Sequence, residues 1–287
     1  MIERNSSIWV CPSDSRKHLF FIICFIAQLG FLHAQDKTKT PFIIGETVSF
    51  HSEVLDESRS FNIYLPASDH PDSTRRNPVI CLLDGSKSED FIHISGLVQF
   101  GSFPWIDMVP ESIVVGISNV DRKRDFTYQS FDELDRKEFP TSGGADNFIE
   151  FIASELQPYI TRNYIVSNQK TIIGQSLGGL LATQILMEHP TLFTHYIIIS
   201  QSLWWDKGGL LKQSIKQEST HMPSIYLGVG EEGEIMVEVA KQLYAKLKEE
   251  LRSTADLYFK YFEELDHGDA LHLAVYDAFK KLHNKDE

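Results

Sequence analysis

The pentapeptide Gly174-Gln175-Ser176-Leu177-Gly178 holds the residue best placed to act as a nucleophile. A G-x-S-x-G match is weak by itself, and its flanks are what give it weight. Thr171-Ile172-Ile173 reads as a short buried strand, and Gly179-Leu180-Leu181-Ala182-Thr183-Gln184 reads as the start of a helix. A strand–turn–helix of this kind carries a serine on a sharp, strained turn with its hydroxyl projecting beyond the sheet. The glycines remove side chains that would collide where the two elements cross. In a non-catalytic domain the same residues would be no more than a glycine-rich turn.

A serine hydroxyl is barely ionised at neutral pH and needs a base. The chain has eleven histidines. His33, His51, His70 and His93 come too early in the order, His189 ends a helix before Pro190, and His195 opens a strand. Of His221, His267, His272 and His283, the expected base is His267, in the loop Leu265-Asp266-His267-Gly268-Asp269 between the last strand and the last helix. His272 and His283 fall inside that helix, where packing or surface roles are the ordinary expectation. A carboxylate should fix the imidazole tautomer and stabilise its protonated form. Glu231, Glu232 and Glu234 follow the seventh strand and offer one, in the order Ser…Glu…His. Glu234 reads as the first turn of a helix, where a carboxylate is favoured anyway. Glu232 is preferred, with Glu231 still open; if all three only begin the helix, a Ser–His dyad remains. Two donors must face the developing oxyanion. The amide of Leu177 is one, and Gly85 in Asp84-Gly85-Ser86 is the expected second.

These residues need a scaffold, and the hydropathy pattern supplies it. Strand-like segments run over Thr47–Val54, Arg59–Leu65, Pro78–Leu83, Glu111–Ser118, Lys170–Gly174, His195–Ile199, Ser224–Val229 and Leu257–Glu263. The first two are split by Asp56-Glu57-Ser58 and predict a hairpin. Several of the others are apolar throughout, as suits a parallel sheet covered on both faces. Helical spacing marks Ala145–Ile160, Leu177–Glu188, Glu234–Leu251 and Ala270–Leu282. The expectation is an α/β fold with an eight-stranded, mostly parallel sheet. Asp121–Gly144 is long, polar and unpatterned, which predicts either a functional loop over the site or mobile surface.

Arg16-Lys17 precede the apolar run Leu19–Leu32, which ends at His33-Ala34 before polar residues. That describes a secretory signal peptide over residues 1–34, leaving residues 35–287 as a single domain that is secreted or periplasmic. The run is short for a spanning helix, so no stable membrane insertion is expected after cleavage. Cys11 and Cys24 would leave with that segment. The third cysteine, Cys81, sits inside Val79-Ile80-Cys81-Leu82-Leu83 and reads as packing. No cysteine–histidine cluster has zinc spacing, and no cofactor is expected. The formal net charge is −13, with 42% hydrophobic residues and no basic stripe, which argues against nucleic acid or an anionic membrane surface as a partner.

With these residues together, the chain resembles the esterase D-like branch of the α/β hydrolases, which includes enterochelin and ferri-bacillibactin esterases. The resemblance runs from about Thr47 to Leu282. It is carried by Arg59–Pro66, Leu83-Asp84-Gly85, Val114–Thr127, Ser142-Gly143-Gly144-Ala145, Ser200–Trp205 and Asp266-His267-Gly268, as well as the serine turn. It implies an α/β-hydrolase fold and metal-free hydrolysis of a carboxylic ester, such as a siderophore, feruloyl or acetyl ester, through an acyl-enzyme. It also implies pocket roles for Trp204 and Trp205, although core packing suits paired tryptophans equally. Arg122 and Arg124 could hold an anionic or catecholate substrate, or pair with Asp121 or Asp125. Acyl transfer on the same fold and a catalytically silent siderophore- or glycan-binding domain are the rival functions.

Overall fold

Runs such as Ile113–Ile117, buried at every position, must be covered on both sides, and that requirement shapes the architecture. The computed structural model describes residues 38–66, 75–216, 222–251 and 255–283, so the signal-peptide expectation, Cys11, Cys24 and His221 lie outside the described residues. Within the compact unit Ile43–Glu287 the strands are β1 (Gly45–Ser52), β2 (Glu57–Tyr64), β3 (Asn77–Leu82), β4 (Ile113–Ile117), β5 (Val166–Gln175), β6 (His195–Ile199), β7 (Ser224–Gly230) and β8 (Leu257–Phe262). They form one sheet in the order β1-β2-β4-β3-β5-β6-β7-β8. The β1–β2 hairpin and the β2–β4 pair are antiparallel, and the other pairs are parallel.

The helices are α1 (Phe91–Gly101), α2 (Arg122–Asp125), α3 (Glu133–Glu138), α4 (Ala145–Phe151), α5 (Gln157–Asn163), α6 (Leu177–Glu188), α7 (Glu234–Leu251) and α8 (Ala270–His283). Alternate residues of the strands sort onto two faces. Cys81, Val115, Ile172 and Ile198 pack with α4 to α7, while Ile80, Val114, Ile173 and Ile197 pack with α1 and α8. Cys81 belongs to the first face, and burial pushes its thiol up to about 12. Among the described residues no helix is long and apolar enough to cross a membrane.

Helix α1 has no counterpart in the sequence pattern, and two further stretches differ from it. The helix expected over Ala145–Ile160 contains a π turn at Ile152–Leu156 between α4 and α5. Glu155 in that turn accepts the Glu53 and Val54 amides at 2.9 and 3.1 Å, which ties the β1–β2 hairpin down. The stretch Asp121–Gly144 holds α2 and α3, capped by Asp121 and Asp132 side chains. It is anchored to the segment after β6: the Phe131 amide donates to Asp206 and the Asp206 amide donates to Asp135, each at 2.8 Å.

Candidate active site

Ser176 sits between β5 and α6 with φ +59° and ψ −121°, a left-handed backbone that a side chain normally avoids. The turn is tight because Gly174 has no side chain; a Cβ there would lie 2.4 Å from the Gly178 carbonyl oxygen. The Ser176 amide donates to the Ile199 carbonyl at 3.1 Å, and its carbonyl accepts from Leu180 at 2.9 Å and from Ser202 at 3.1 Å. The backbone is thus held from β6 and from α6. The Ser176 hydroxyl lies 3.4 Å from that of Ser202. Leu177 opens α6, where the first amides have no acceptor within the helix.

His267 comes from the loop between β8 and α8, and Glu232 from the turn between β7 and α7. Their side chains meet at 2.5 Å, His267 Nδ1 to Glu232 Oε2. Glu232 is 2% exposed and His267 is half exposed. The other Glu232 oxygen accepts the Gly230 amide at 3.0 Å and the Ser200 hydroxyl. Burial alone would raise the carboxyl's pKa, but the bonds from His267, Ser200 and Gly230 outweigh it and hold it below the usual value. The same bond to Glu232 raises the imidazole above the ordinary histidine value, against burial and the positive charge of Arg122. Glu231 turns the other way and pairs with the Tyr261 hydroxyl, while its amide donates to the Leu265 carbonyl at 2.7 Å. That last bond joins the Glu232 turn to the His267 loop. The side-chain amide of Gln175, next to Ser176, donates to the His267 carbonyl at 2.6 Å and joins that loop to the serine turn.

Ser176, His267 and Glu232 line one open cleft of about 700 Å³ with Ser202, Trp204, Glu231, Met236, Asp266 and Gly268. A serine on a strained turn that shares a cleft with an imidazole–carboxylate pair is the combination of groups that can activate a hydroxyl for attack on an acyl carbon.

Residues 52–269 match the Esterase family model. The ferri-bacillibactin esterase of Bacillus subtilis is 31% identical over 232 residues, covering 73% of this chain and 80% of that protein. The chain belongs to the Esterase family. Among solved structures, the BES protein of Bacillus cereus shares 26% identity with a TM-score of 0.76, covering 86% of this chain and 97% of its own. An IroE-like serine hydrolase from Shewanella oneidensis shares 26% identity with a TM-score of 0.73, covering 84% and 80%. This esterase is therefore a carboxylic ester hydrolase on an α/β-hydrolase sheet.

Three expected site residues of the esterase stand elsewhere. The Gly85 amide donates to the Ile117 carbonyl at 2.9 Å, so it is engaged by the sheet and not free for an oxyanion. Its lack of a side chain serves a different end, since a Cβ would lie 2.3 Å from Gly116 Cα where the loop crosses β4. Trp205 is fully buried, with its ring N–H on the Tyr128 carbonyl at 3.0 Å and Phe139 edge-on at 5.3 Å. It is core, and Trp204 alone of the pair reaches the cleft. Arg124 binds Glu57 at 2.6 Å and Asp125 at 2.8 Å. Those carboxylates also hold the fully buried Arg59, at 2.8 and 2.7 Å, so Arg124 belongs to an ion-pair network joining β2 to α2.

Removing Arg59 leaves Asp125, 1% exposed, short of one of its two cations. Arg59→Ala is expected to destabilise the fold by about 3–5 kcal/mol, the usual cost of breaking a buried pair. Urea denaturation measures it, and a loss below ~1 kcal/mol would show that the network relaxes around the gap.

Arg122 is the cation nearer the cleft. It clamps Asp84 with Nε and Nη2 at 2.6 and 2.8 Å and reaches the Gln175 carbonyl at 3.4 Å. Type and spacing alone do not single out Ser200, Ser202, Gln175 or Asp266. For the two serines the S-Q-S segment at the end of β6 was the available signal.

Proposed function

We propose that the protein hydrolyses a siderophore-type carboxylic ester through an acyl-enzyme on Ser176. The observation that carries this reading is the 2.5 Å His267–Glu232 contact on the same cleft as a serine at a strained strand-to-helix turn. Ser176 attacks the ester carbonyl and His267 takes its proton. His267 returns that proton to the leaving alkoxide, and Glu232 stabilises the imidazolium between the two transfers. Water then attacks the acyl-enzyme with His267 again as base, and the acid leaves. The Leu177 amide serves as one oxyanion donor. Trp204 and Met236 offer an apolar wall for the acyl or aromatic part of the substrate.

The siderophore class comes from the 31% identity to a ferri-bacillibactin esterase. A secreted or periplasmic location of residues 35–287 as one domain, after removal of residues 1–34, completes the reading.

The test is turnover of a triester siderophore, iron-loaded and iron-free, and of small aryl esters, in H₂¹⁸O with and without an alcohol acceptor. Hydrolysis through the acyl-enzyme puts one ¹⁸O into the released acid. A new ester with the acceptor in place of acid would identify an acyltransferase. Binding without turnover across all substrates would identify a silent binding domain.

A further inference from the structure

We propose that Ser200-Gln201-Ser202, the residues leaving β6, form a positioning brace that holds Glu232 with one hydroxyl and Ser176 with the other. The proposal rests on the Ser176–His267–Glu232 reading above. Ser200 is fully buried and has φ +48°, a backbone conformation that favours glycine over any residue with a Cβ. Its amide is fixed on the Gly228 carbonyl of β7 at 2.8 Å, and its hydroxyl donates to Glu232 Oε1. The Gly230 amide donates to the same oxygen. With Oε1 held twice, the carboxylate cannot turn about its last bond, and Oε2 stays on His267 Nδ1.

Two residues on, Ser202 is 2% exposed, donates its amide to the Ser176 carbonyl at 3.1 Å, and places its hydroxyl 3.4 Å from the Ser176 hydroxyl. The Ile199 carbonyl, immediately before the brace, accepts the Ser176 amide. One short segment therefore sets the distance between the acid and the nucleophile. A serine where the backbone prefers glycine is explained by the use of its hydroxyl.

Glycine removes that hydroxyl and relieves the backbone at once, so Ser200→Gly separates positioning from folding. Ser200→Ala removes the hydroxyl and keeps the Cβ. In the full-length protein, three readouts apply: the thermal midpoint, kcat and KM on a p-nitrophenyl ester, and the pH dependence of Ser176 modification by a fluorophosphonate, followed by intact mass.

Ser200→Gly is expected to melt no lower than wild type and to lose about 10- to 100-fold in kcat, by analogy with losing a hydrogen-bond partner that orients a metal-ligating side chain. KM should stay unchanged. The acid limb of the modification rate should move to lower pH, because a loosened Glu232 no longer holds the proton on His267. Ser200→Ala should show the same limb. Ser202→Ala should slow modification without moving the limb. Wild-type kcat and limb in Ser200→Gly would overturn the proposal, even if Ser200→Ala were impaired. Turnover retained in Ser176→Ala would overturn the underlying reading, and the brace with it.

Discussion

Ser176→Ala is expected to lower kcat for a p-nitrophenyl ester on the order of 10⁶-fold, the scale seen when the nucleophile of a serine triad is removed. The loss should be chemical and not structural. The bonds that hold the turn belong to the backbone: the Ser176 amide on Ile199, and its carbonyl shared by Leu180 and Ser202. The side chain contributes one long contact, 3.4 Å to the Ser202 hydroxyl. Alanine keeps the Cβ that the φ of +59° already accommodates, so the thermal midpoint should barely change. Two measurements check this. Steady-state kinetics give the loss, and peptide mapping after fluorophosphonate treatment gives the modified residue. Turnover within tenfold of wild type, or a label on any other residue, would remove Ser176 from the mechanism.

The parts of this protein legible in its sequence are those set by local pattern. Ile113–Ile117 is a strand because five consecutive apolar residues need cover on both faces, and the structure buries all five. The serine turn is legible for the same reason, since Gly174 records a crossing that tolerates no Cβ, which would lie 2.4 Å from the Gly178 carbonyl oxygen. Helix α1 was not legible. Ile92 and Phe100 face solvent at 49% and 40% exposure, and Gly96 interrupts the run, so the helical period is blurred. The π turn at Ile152–Leu156 keeps an apolar spacing that a regular helix would also show.

The site roles that the sequence leaves open are those a distant partner decides. Asp125 as a partner of Arg124 was open to a sequence reading, but Glu57, 67 residues away, was not. The Gly85 amide is engaged by Ile117 across the sheet. Trp204 and Trp205 are neighbours in sequence, yet one lines the cleft and the other fills the core, because the chain turns into a 3₁₀ helix between them.

The adjacent pair Glu231 and Glu232 gives the second large prediction. Glu232→Gln is expected to cost about 10⁴-fold in kcat, as does amide substitution of the orienting acid in a serine protease triad. The Ser200 hydroxyl and the Gly230 amide would keep the glutamine carbonyl oxygen on their side, which turns its NH₂ toward His267 Nδ1. The imidazole must then accept at Nδ1 and carry its proton on Nε2, where it can no longer take one from Ser176. The sign of the pH effect follows. Hydrogen bonding to Glu232 raises His267 above the ordinary histidine value, so in wild type the rate climbs only as pH passes that raised value. Without the carboxylate the imidazole deprotonates more readily, and the acid limb of kcat/KM should move to lower pH while its plateau falls. Glu231→Gln is the internal comparison. Its carboxylate is exposed and bonded to the Tyr261 hydroxyl rather than to His267, so both the plateau and the limb should stay in place. If Glu231→Gln took the loss and Glu232→Gln did not, the acid would belong to the outward-facing residue, and the His267 loop would have to rearrange around substrate.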